Sequence, residues 1–160
     1  MNLTETHPLH LGLLFGKFTK QYIGFITKQL EEVPIERYFY VLLMIHKCDQ
    51  KLTQKDVAEL LEKDKTSTVR ILDYLQDHEM ITRIKNPKDR REHFIVLTDR
   101  AIKYIPKIDE AFETVNEVIL QGLSDSEKLF FYEILGKMIS NLSQEPKDII
   151  ELNFDKMKSE

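Results

Sequence analysis

Apolar residues recur at steps of three and four near both ends of the chain, a spacing typical of amphipathic helices. The first such stripe predicts a long helix from His10 to Leu30. Because Pro34 suits the first turn of a helix, the next apolar stripe predicts a second helix from Pro34 to about Lys47.

The second half of the chain predicts two more long helices. Thr98 can cap a helix from Asp99 to Gln121 that Gly122 ends, with Pro106 early enough to kink it without ending it. The run from Ser124 to Glu127 is a capping box, and the apolar stripe after it predicts a last helix.

The middle of the chain predicts shorter elements. Thr53, with Asp56 three residues on, can cap a short helix that ends near Glu62. Asp64 can cap a second helix, whose core-facing candidates are Val69, Leu72 and Leu75. Ile81 to Lys85 and Glu92 to Leu97 are rich in β-branched and aromatic residues and predict a β-hairpin.

The start of the second short helix is rich in hydroxyl and basic side chains, which are Lys65, Thr66, Ser67, Thr68 and Arg70. Hydroxyl residues are mediocre helix formers, so at a helix start they either cap it or serve an external partner. DNA is such a partner, because hydroxyls reach phosphates or base edges and an arginine can bind guanine with two hydrogen bonds. Simple capping by Thr66 and Ser67 is an equal alternative at this point.

Basic charge is concentrated in and beside the hairpin loop. This segment contains one acidic residue, Asp89, and five basic ones, whereas the whole chain has a net charge of -4. The basic residues are Arg83, Lys85, Lys88, Arg90 and Arg91. Such a local excess is what a nucleic-acid contact requires. A pI near 5.8 argues against indiscriminate binding of nucleic acid, but not against a site-specific regulator.

From Leu52 to Lys103 these residues resemble the MarR family of winged helix-turn-helix regulators, most specifically in the Asp89-Arg90-Arg91 run followed by Leu97-Thr98. The resemblance implies that the helix matching Lys65 to His78 enters the DNA major groove and that the wing, Asn86 to Glu92, reaches the minor groove. It further puts Arg91 or Arg90 at the wing tip, with Asp89 orienting the arginine. The expected wing contacts to DNA are Lys88, Arg90 and Arg91.

Two positions depart from the family pattern, which usually has Gly where Glu79 and Ala101 stand. If the turn after the second short helix still needs a positive φ, Glu79 costs about 1 kcal/mol relative to Gly. Ala101 is harmless inside a helix.

The expected fold class is mainly α with a small β-hairpin wing, a winged helix-turn-helix with long terminal dimerisation helices. One MarR-type domain would span 1–160, with the DNA-binding region at 34–100, dimerisation helices at 8–32 and 99–143, and a C-terminal tail at 144–160. The terminal helices carry more apolar surface than the head can cover, so a partner is expected. The resemblance implies a homodimer whose two recognition helices lie ~34 Å apart and read a palindrome. A monomer with its terminal helices folded over the head is the alternative.

The sequence carries no pattern typical of an enzyme. It has no Ser/His/Asp arrangement, Gly-rich phosphate loop or H-E-x-x-H spacing, so we expect neither catalysis nor a cofactor. His46 and Cys48 lie two residues apart and would point away from each other on a helix, so no metal site is expected. The single cysteine fits a reducing cytoplasm, and no apolar run is long enough for a membrane span.

The expected function is therefore a sequence-specific DNA-binding transcriptional regulator, a cytoplasmic homodimeric repressor of a palindromic operator. The resemblance implies release by a small aromatic effector, and the candidate pocket walls are Phe15, Phe18, Tyr22, Tyr38 and Phe39. Aromatic residues at helical spacing are, however, more often core than pocket. Two alternatives stay open: a winged-helix protein-interaction module that does not read DNA, and an oxidant sensor that acts through Cys48.

Overall fold

The order of helices and strands follows the predicted one closely. The computed structural model describes residues 10–48, 52–87, 89 and 91–142. Its elements in these ranges are α1 (Leu11–Gln29), α2 (Phe39–Lys47), β1 (Leu52–Thr53), α3 (Gln54–Leu60), α4 (Lys65–Asp77), β2 (Ile81–Lys85), β3 (His93–Leu97), α5 (Asp99–Leu120) and α6 (Asp125–Leu142). The fold is the expected mainly α one with a small β wing.

Helices α3 and α4 begin where the sequence predicts. The Thr53 hydroxyl accepts the backbone N–H of Asp56 at 3.2 Å, and the Asp56 carboxylate accepts the backbone N–H of Thr53 at 2.7 Å, which completes a capping box. The Asp64 carboxylate accepts the backbone N–H of Ser67 at 2.9 Å and caps α4. These caps fix the two helices of the helix-turn-helix.

The sheet has three antiparallel strands in the order β1-β3-β2. The predicted hairpin is confirmed, with Ile81 paired with Leu97 and Lys85 paired with His93. Strand β1, in which Leu52 pairs with Ile95, was not predicted. Two residues are too few to show the alternation of apolar and polar positions that is typical of a strand.

The core lies between α2, α4, α5 and the sheet. Its fully buried side chains include Leu42, Ile45, Leu72, Ile95 and Ile108. Helix α4 buries a stripe at steps of three and four, formed by Thr68, Ile71, Leu72 and Leu75. The prediction that Val69 faces the core was wrong, since it is only half-buried one position beside this stripe.

Helix α2 begins at Phe39, five residues later than predicted. The segment before it is a series of turns in which Val33 and Ile35 are buried. Tyr38, the residue before the helix, has a φ of 67°. Burial of these side chains therefore outweighs the preference of Pro34 for a helix start.

The ends of the long helices also follow the sequence. Helix α5 is capped by the Thr98 hydroxyl, runs through Pro106 and ends at Leu120, and Gly122 follows with a φ of 83°. Ser124 and Glu127 form the predicted capping box before α6. The predicted tail at 144–160 lies outside the described residues.

Glu79 has a φ of 59°, the left-handed conformation that the family usually gives to glycine. Its carboxylate forms an exposed ion pair with Arg100, a contact worth at most about 1 kcal/mol. We expect the free energy of unfolding of Glu79→Gly to be about 1 kcal/mol higher than that of Glu79→Ala. Both variants lose the ion pair, but only the glycine removes the strain of a positive φ. Urea unfolding at one fixed protein concentration measures this difference. Equal urea midpoints for the two variants would contradict it.

Candidate nucleic-acid interface

Three of the five predicted groove residues on α4 are exposed at the start of the helix. Lys65, Thr66 and Arg70 face solvent, and Thr66 and Arg70 lie one helical turn apart. In the part of the chain that the structure describes, neither Lys65 nor Arg70 forms an ion pair. These side chains are therefore available to an external partner.

Ser67 is committed to the helix cap. Its hydroxyl donates to the Asp64 carboxylate at 2.6 Å, in addition to the bond from its backbone N–H. Hydrogen bonds from the hydroxyl and then from the backbone of Ser67 hold the pKa of Asp64 below its usual value. Only the hydroxyl oxygen of Ser67 remains able to accept a hydrogen bond from outside, so capping explains this residue without DNA.

The prediction that Thr68 contacts DNA was wrong. Thr68 is 0% exposed, and its hydroxyl donates to the backbone carbonyl of Asp64 at 3.0 Å. The residue belongs to the core-facing stripe of α4, which was predicted correctly at Leu72 and Leu75. The first turn of the stripe is filled by Thr68 and not by Val69.

The wing is held by hydrogen bonds at its base and within its turn. The backbone N–H of Asn86 donates to the carbonyl of Glu92 at 3.0 Å, and the Asn86 amide donates to the Glu92 carboxylate at 3.2 Å. The backbone N–H of Arg91 donates to the Asp89 carboxylate at 2.9 Å. Asp89 thus contacts the arginine backbone within the turn. Lys88 and Arg90 lie outside the described residues.

Arg83 anchors the wing to α4. Its guanidinium donates to the Asp73 carboxylate at 2.7 Å and to the Gln76 amide oxygen at 2.8 Å. From the sequence, Arg83 was only one of the cations near the loop. Its bonds to α4 were not predicted, because Gln76 and Asp73 lie seven and ten residues away in the sequence. Two bonds from β2 to α4 fix the angle between the wing and the helix.

A basic cavity of ≈ 230 Å³ joins the start of α4 to the wing. Its lining is Thr53, Gln54, Lys55, Lys65, Arg83, Arg91, Glu92 and His93. Lys65 and Arg91, predicted separately from the helix and from the wing, therefore border one concave surface. Lys55 was not predicted, because its only signal in the sequence is a positive charge in the first turn of α3.

A second cavity, of ≈ 480 Å³, lies where α1 meets the start of α2 and α5. Three of the five predicted pocket residues, Tyr22, Tyr38 and Phe39, line it. Phe15 and Phe18 do not, because they lie two turns and one turn before Tyr22 on the exposed part of α1. The cavity has further lining residues that were not predicted. Phe112 comes from α5, far along the chain, whereas the others are neighbours of the predicted residues and include Ile23, Ile26, Arg37 and Tyr40.

Arg37 connects this second cavity to α4. Its guanidinium carbon lies 5.3 Å from the ring centre of Tyr38 and 4.7 Å from that of Tyr74, which is on α4. The two rings meet edge to face at 5.5 Å. The backbone N–H of Glu36 also donates to the Tyr74 hydroxyl at 3.0 Å. A molecule in the cavity would therefore touch side chains that contact α4 directly.

In the described residues the structure gives little support for a reactive cysteine or for a metal site. Cys48 is half-buried, and burial raises the pKa of its thiol, which lowers the fraction of reactive thiolate. Within residues 10–48, 52–87, 89 and 91–142, no three His, Cys, Asp or Glu side chains are grouped to hold a metal ion. The helices of this part of the chain are also too short or too polar to cross a membrane.

Exposed apolar side chains cover α6 and the first half of α1. Helix α6 has no buried residue, and its exposed large apolar residues are Leu129, Phe130, Phe131, Tyr132, Ile134, Ile139 and Leu142. On α1, Leu11, Leu13, Leu14, Phe15 and Phe18 are exposed, and only Ile26 is buried. A helix that buries nothing within its own chain is not stabilised by that chain's core.

Comparison with known proteins gives one family match. A model described as MarR family matches residues 34–92, a range that contains α2, the helix-turn-helix and the turn of the wing. This range falls within the region 34–100 predicted from the sequence.

Solved structures share the fold over most of the chain. The S. aureus MepR–DNA complex has a TM-score of 0.79 at 23% identity, covering 84% of this chain and 99% of that one. A MarR transcriptional regulator from Methanosarcina mazei has a TM-score of 0.70 at 22% identity, covering 82% and 94%. A mutant E. coli MarR complexed with operator DNA has a TM-score of 0.71 at 19% identity, covering 81% and 93%. At these identities the likeness shows the fold alone.

Proposed function

We propose that the chain is a homodimeric repressor of the MarR family of winged helix-turn-helix transcriptional regulators and that it binds a palindromic DNA operator. Regulators of this family are not enzymes, in agreement with the expectation from the sequence. Residues 34–100 would form the DNA-reading head, and the helices within 8–32 and 99–143 would form the dimer. Such a regulator acts where the DNA is, in the cytoplasm.

The observation that carries this proposal is the basic surface shared by α4 and the wing. Lys65 and Arg91 line one cavity, and Thr66 and Arg70 continue the exposed face along α4. Lys65, Thr66 and Arg70 would serve the major groove, with Ser67 contributing at most its hydroxyl oxygen as an acceptor. Lys88, Arg90 and Arg91 would serve the wing contact, with Asp89 holding the turn.

The dimer in this proposal is supported by the exposed apolar surface of α1 and α6. Exposed apolar residues in this number mark an interaction site on a globular protein. A second copy of the chain offers the same surface, so a two-fold pairing of these helices would cover both. That pairing would also place two copies of α4 on one duplex, as reading a palindrome requires.

We also propose that a small-molecule effector releases the protein from DNA. The ≈ 480 Å³ cavity falls within the usual size of small-molecule sites and is walled mainly by aromatic and aliphatic side chains. Arg37 lines it and could pair with a carboxylate, so an aromatic acid fits the chemistry. An acid that drew Arg37 away from Tyr74 would remove a contact to α4 and so weaken DNA binding.

Selection of bound duplexes from a random pool with the purified protein tests the proposal. We expect the selected sequences to share a palindrome whose half-sites are centred about 10 bp apart, one turn of the duplex. Titration of aromatic acids against the selected duplex then tests effector release. Duplexes without a shared sequence, bound with no dependence on salt, would favour a protein-interaction module instead.

A further inference from the structure

Three cations from three different elements border the ≈ 230 Å³ cavity between α4 and the wing. Lys55 comes from α3, Lys65 from α4 and Arg91 from the turn before β3. The Lys55 side chain is 79% exposed and has only a loose pair with Glu59 at 3.7 Å. Among residues that the structure describes, Lys65 and Arg91 form no ion pair. Lys65 and Arg91 are therefore able to bind an anion, and the exposed Lys55 can do so by giving up its loose pair with Glu59.

Three of the other polar side chains that line the cavity, Arg83, Glu92 and Thr53, already have partners. Both terminal nitrogens of the Arg83 guanidinium donate to Gln76 and Asp73. Arg83 therefore adds positive potential but does not offer a guanidinium for two hydrogen bonds to an anion. The Glu92 carboxylate accepts a hydrogen bond from the Asn86 amide. The Thr53 hydroxyl donates to the Asp56 carboxylate at 2.8 Å. One partnered carboxylate thus faces Lys65, Arg91 and the loosely paired Lys55, and the net potential of the cavity favours an anion.

The size and place of the cavity indicate which anion. At ≈ 230 Å³ it is smaller than the ~300 to 1,000 Å³ typical of small-molecule sites. It lies between the helix proposed to enter the major groove and the wing proposed to reach the minor groove. A duplex has its sugar-phosphate backbone between its two grooves, so a chain that reads both grooves must pass a phosphate at this point.

We propose that Lys55, Lys65 and Arg91 together bind one phosphate of the DNA backbone and thereby fix the position of each head along the duplex. This inference rests on the proposed function and adds Lys55, a residue of the first helix of the pair, to the contact surface. An ammonium group on a flexible stem binds phosphate as a point charge. Lys55 therefore contributes affinity for any DNA sequence and no base preference.

The test is the salt dependence of DNA affinity in a Lys55→Gln variant. On the selected duplex, we expect the slope of log K against log salt to fall in magnitude by about 0.9 for each protomer, since the loss of one phosphate-binding lysine charge releases about one counterion fewer. The affinity ratio between the selected duplex and a scrambled one should stay unchanged, because the contact carries no sequence information. Lys55→Arg should keep the wild-type slope.

Lys103→Gln is the matched control, since Lys103 is an exposed lysine of α5 that does not line the cavity. It makes the same change in net charge and should leave the slope at its wild-type value. Lys55→Gln with a wild-type slope, or a loss confined to the selected duplex, would overturn the phosphate site while leaving the proposed function intact. A wild-type protein that bound no duplex would instead refute the proposed function, and this inference with it.

Discussion

Replacing Phe130 with Glu is expected to convert the proposed dimer into a monomer and to lower its affinity for the selected duplex by ~100-fold or more. Phe130 is 62% exposed on α6, a helix with no residue buried in its own chain. In a two-fold dimer each substitution occurs twice, and a buried aromatic anchor is typically worth ~2 kcal/mol or more at an interface. A buried unpaired carboxylate adds a further cost. A monomer presents one copy of α4 and loses the gain from binding two half-sites together.

The measurement is sedimentation or light scattering over a range of protein concentrations, followed by duplex binding. Phe130→Leu is the matched control, because it keeps an apolar side chain and should remain dimeric. The reading head should stay folded in Phe130→Glu, since its core contains no residue of α6. A Phe130→Glu protein that remained dimeric at low micromolar concentration would exclude α6 as the dimer contact at this position.

Features with a local cause were predictable from the sequence. The caps at Thr53, Asp64 and Thr98 each depend on a side chain and a backbone N–H three residues away. The hairpin from Ile81 to Leu97 shows β-branched residues on both sides of a polar turn. Such signals need no knowledge of the rest of the fold, and the structure reproduces their positions within one or two residues.

Features that depend on distant contacts were not predictable. Tyr38 has a positive φ before α2, in a segment fixed by burial of Val33 and Ile35 and by Tyr74 of α4. The burial of Thr68 instead of Val69 was missed because a threonine that bonds to its own helix can enter a core, and composition alone does not show this.

The candidate site shows the same limit. The cations of α4 and the wing, Arg83 among them, were recognised because they are clustered in sequence. Lys55 joins them only through the fold, and the bond from Arg83 to Asp73 is likewise a contact between distant residues. Likewise, Phe15 and Phe18 lie on the same helical stripe as Tyr22, yet they do not line the cavity, whereas Phe112 of α5 does. Helical spacing gives the face of a helix, and the tertiary structure decides which length of that face borders a cavity.

Replacing Arg70 with Ala is expected to relax base preference by about 1 to 3 kcal/mol, or ~5- to 150-fold in the affinity ratio between the selected duplex and single-base variants. Arg70 is exposed on α4, one turn after Thr66, and in the described part of the chain it has no ion-pair partner. A guanidinium placed there can donate two hydrogen bonds to one guanine, and a wrong base leaves them unmade.

Two further variants separate base reading from charge in this prediction. Arg70→Lys keeps the charge but not the planar pair of donors, so it should lose base preference nearly as far as Arg70→Ala while keeping the salt slope. Lys88→Ala, in the wing, should weaken binding to all sequences alike and lower the salt slope by about one. Affinities for the selected duplex and its single-base variants, measured at several salt concentrations, give both quantities. Equal loss of base preference in the Arg70→Ala and Lys88→Ala proteins would contradict the assignment of sequence reading to α4 and phosphate binding to the wing.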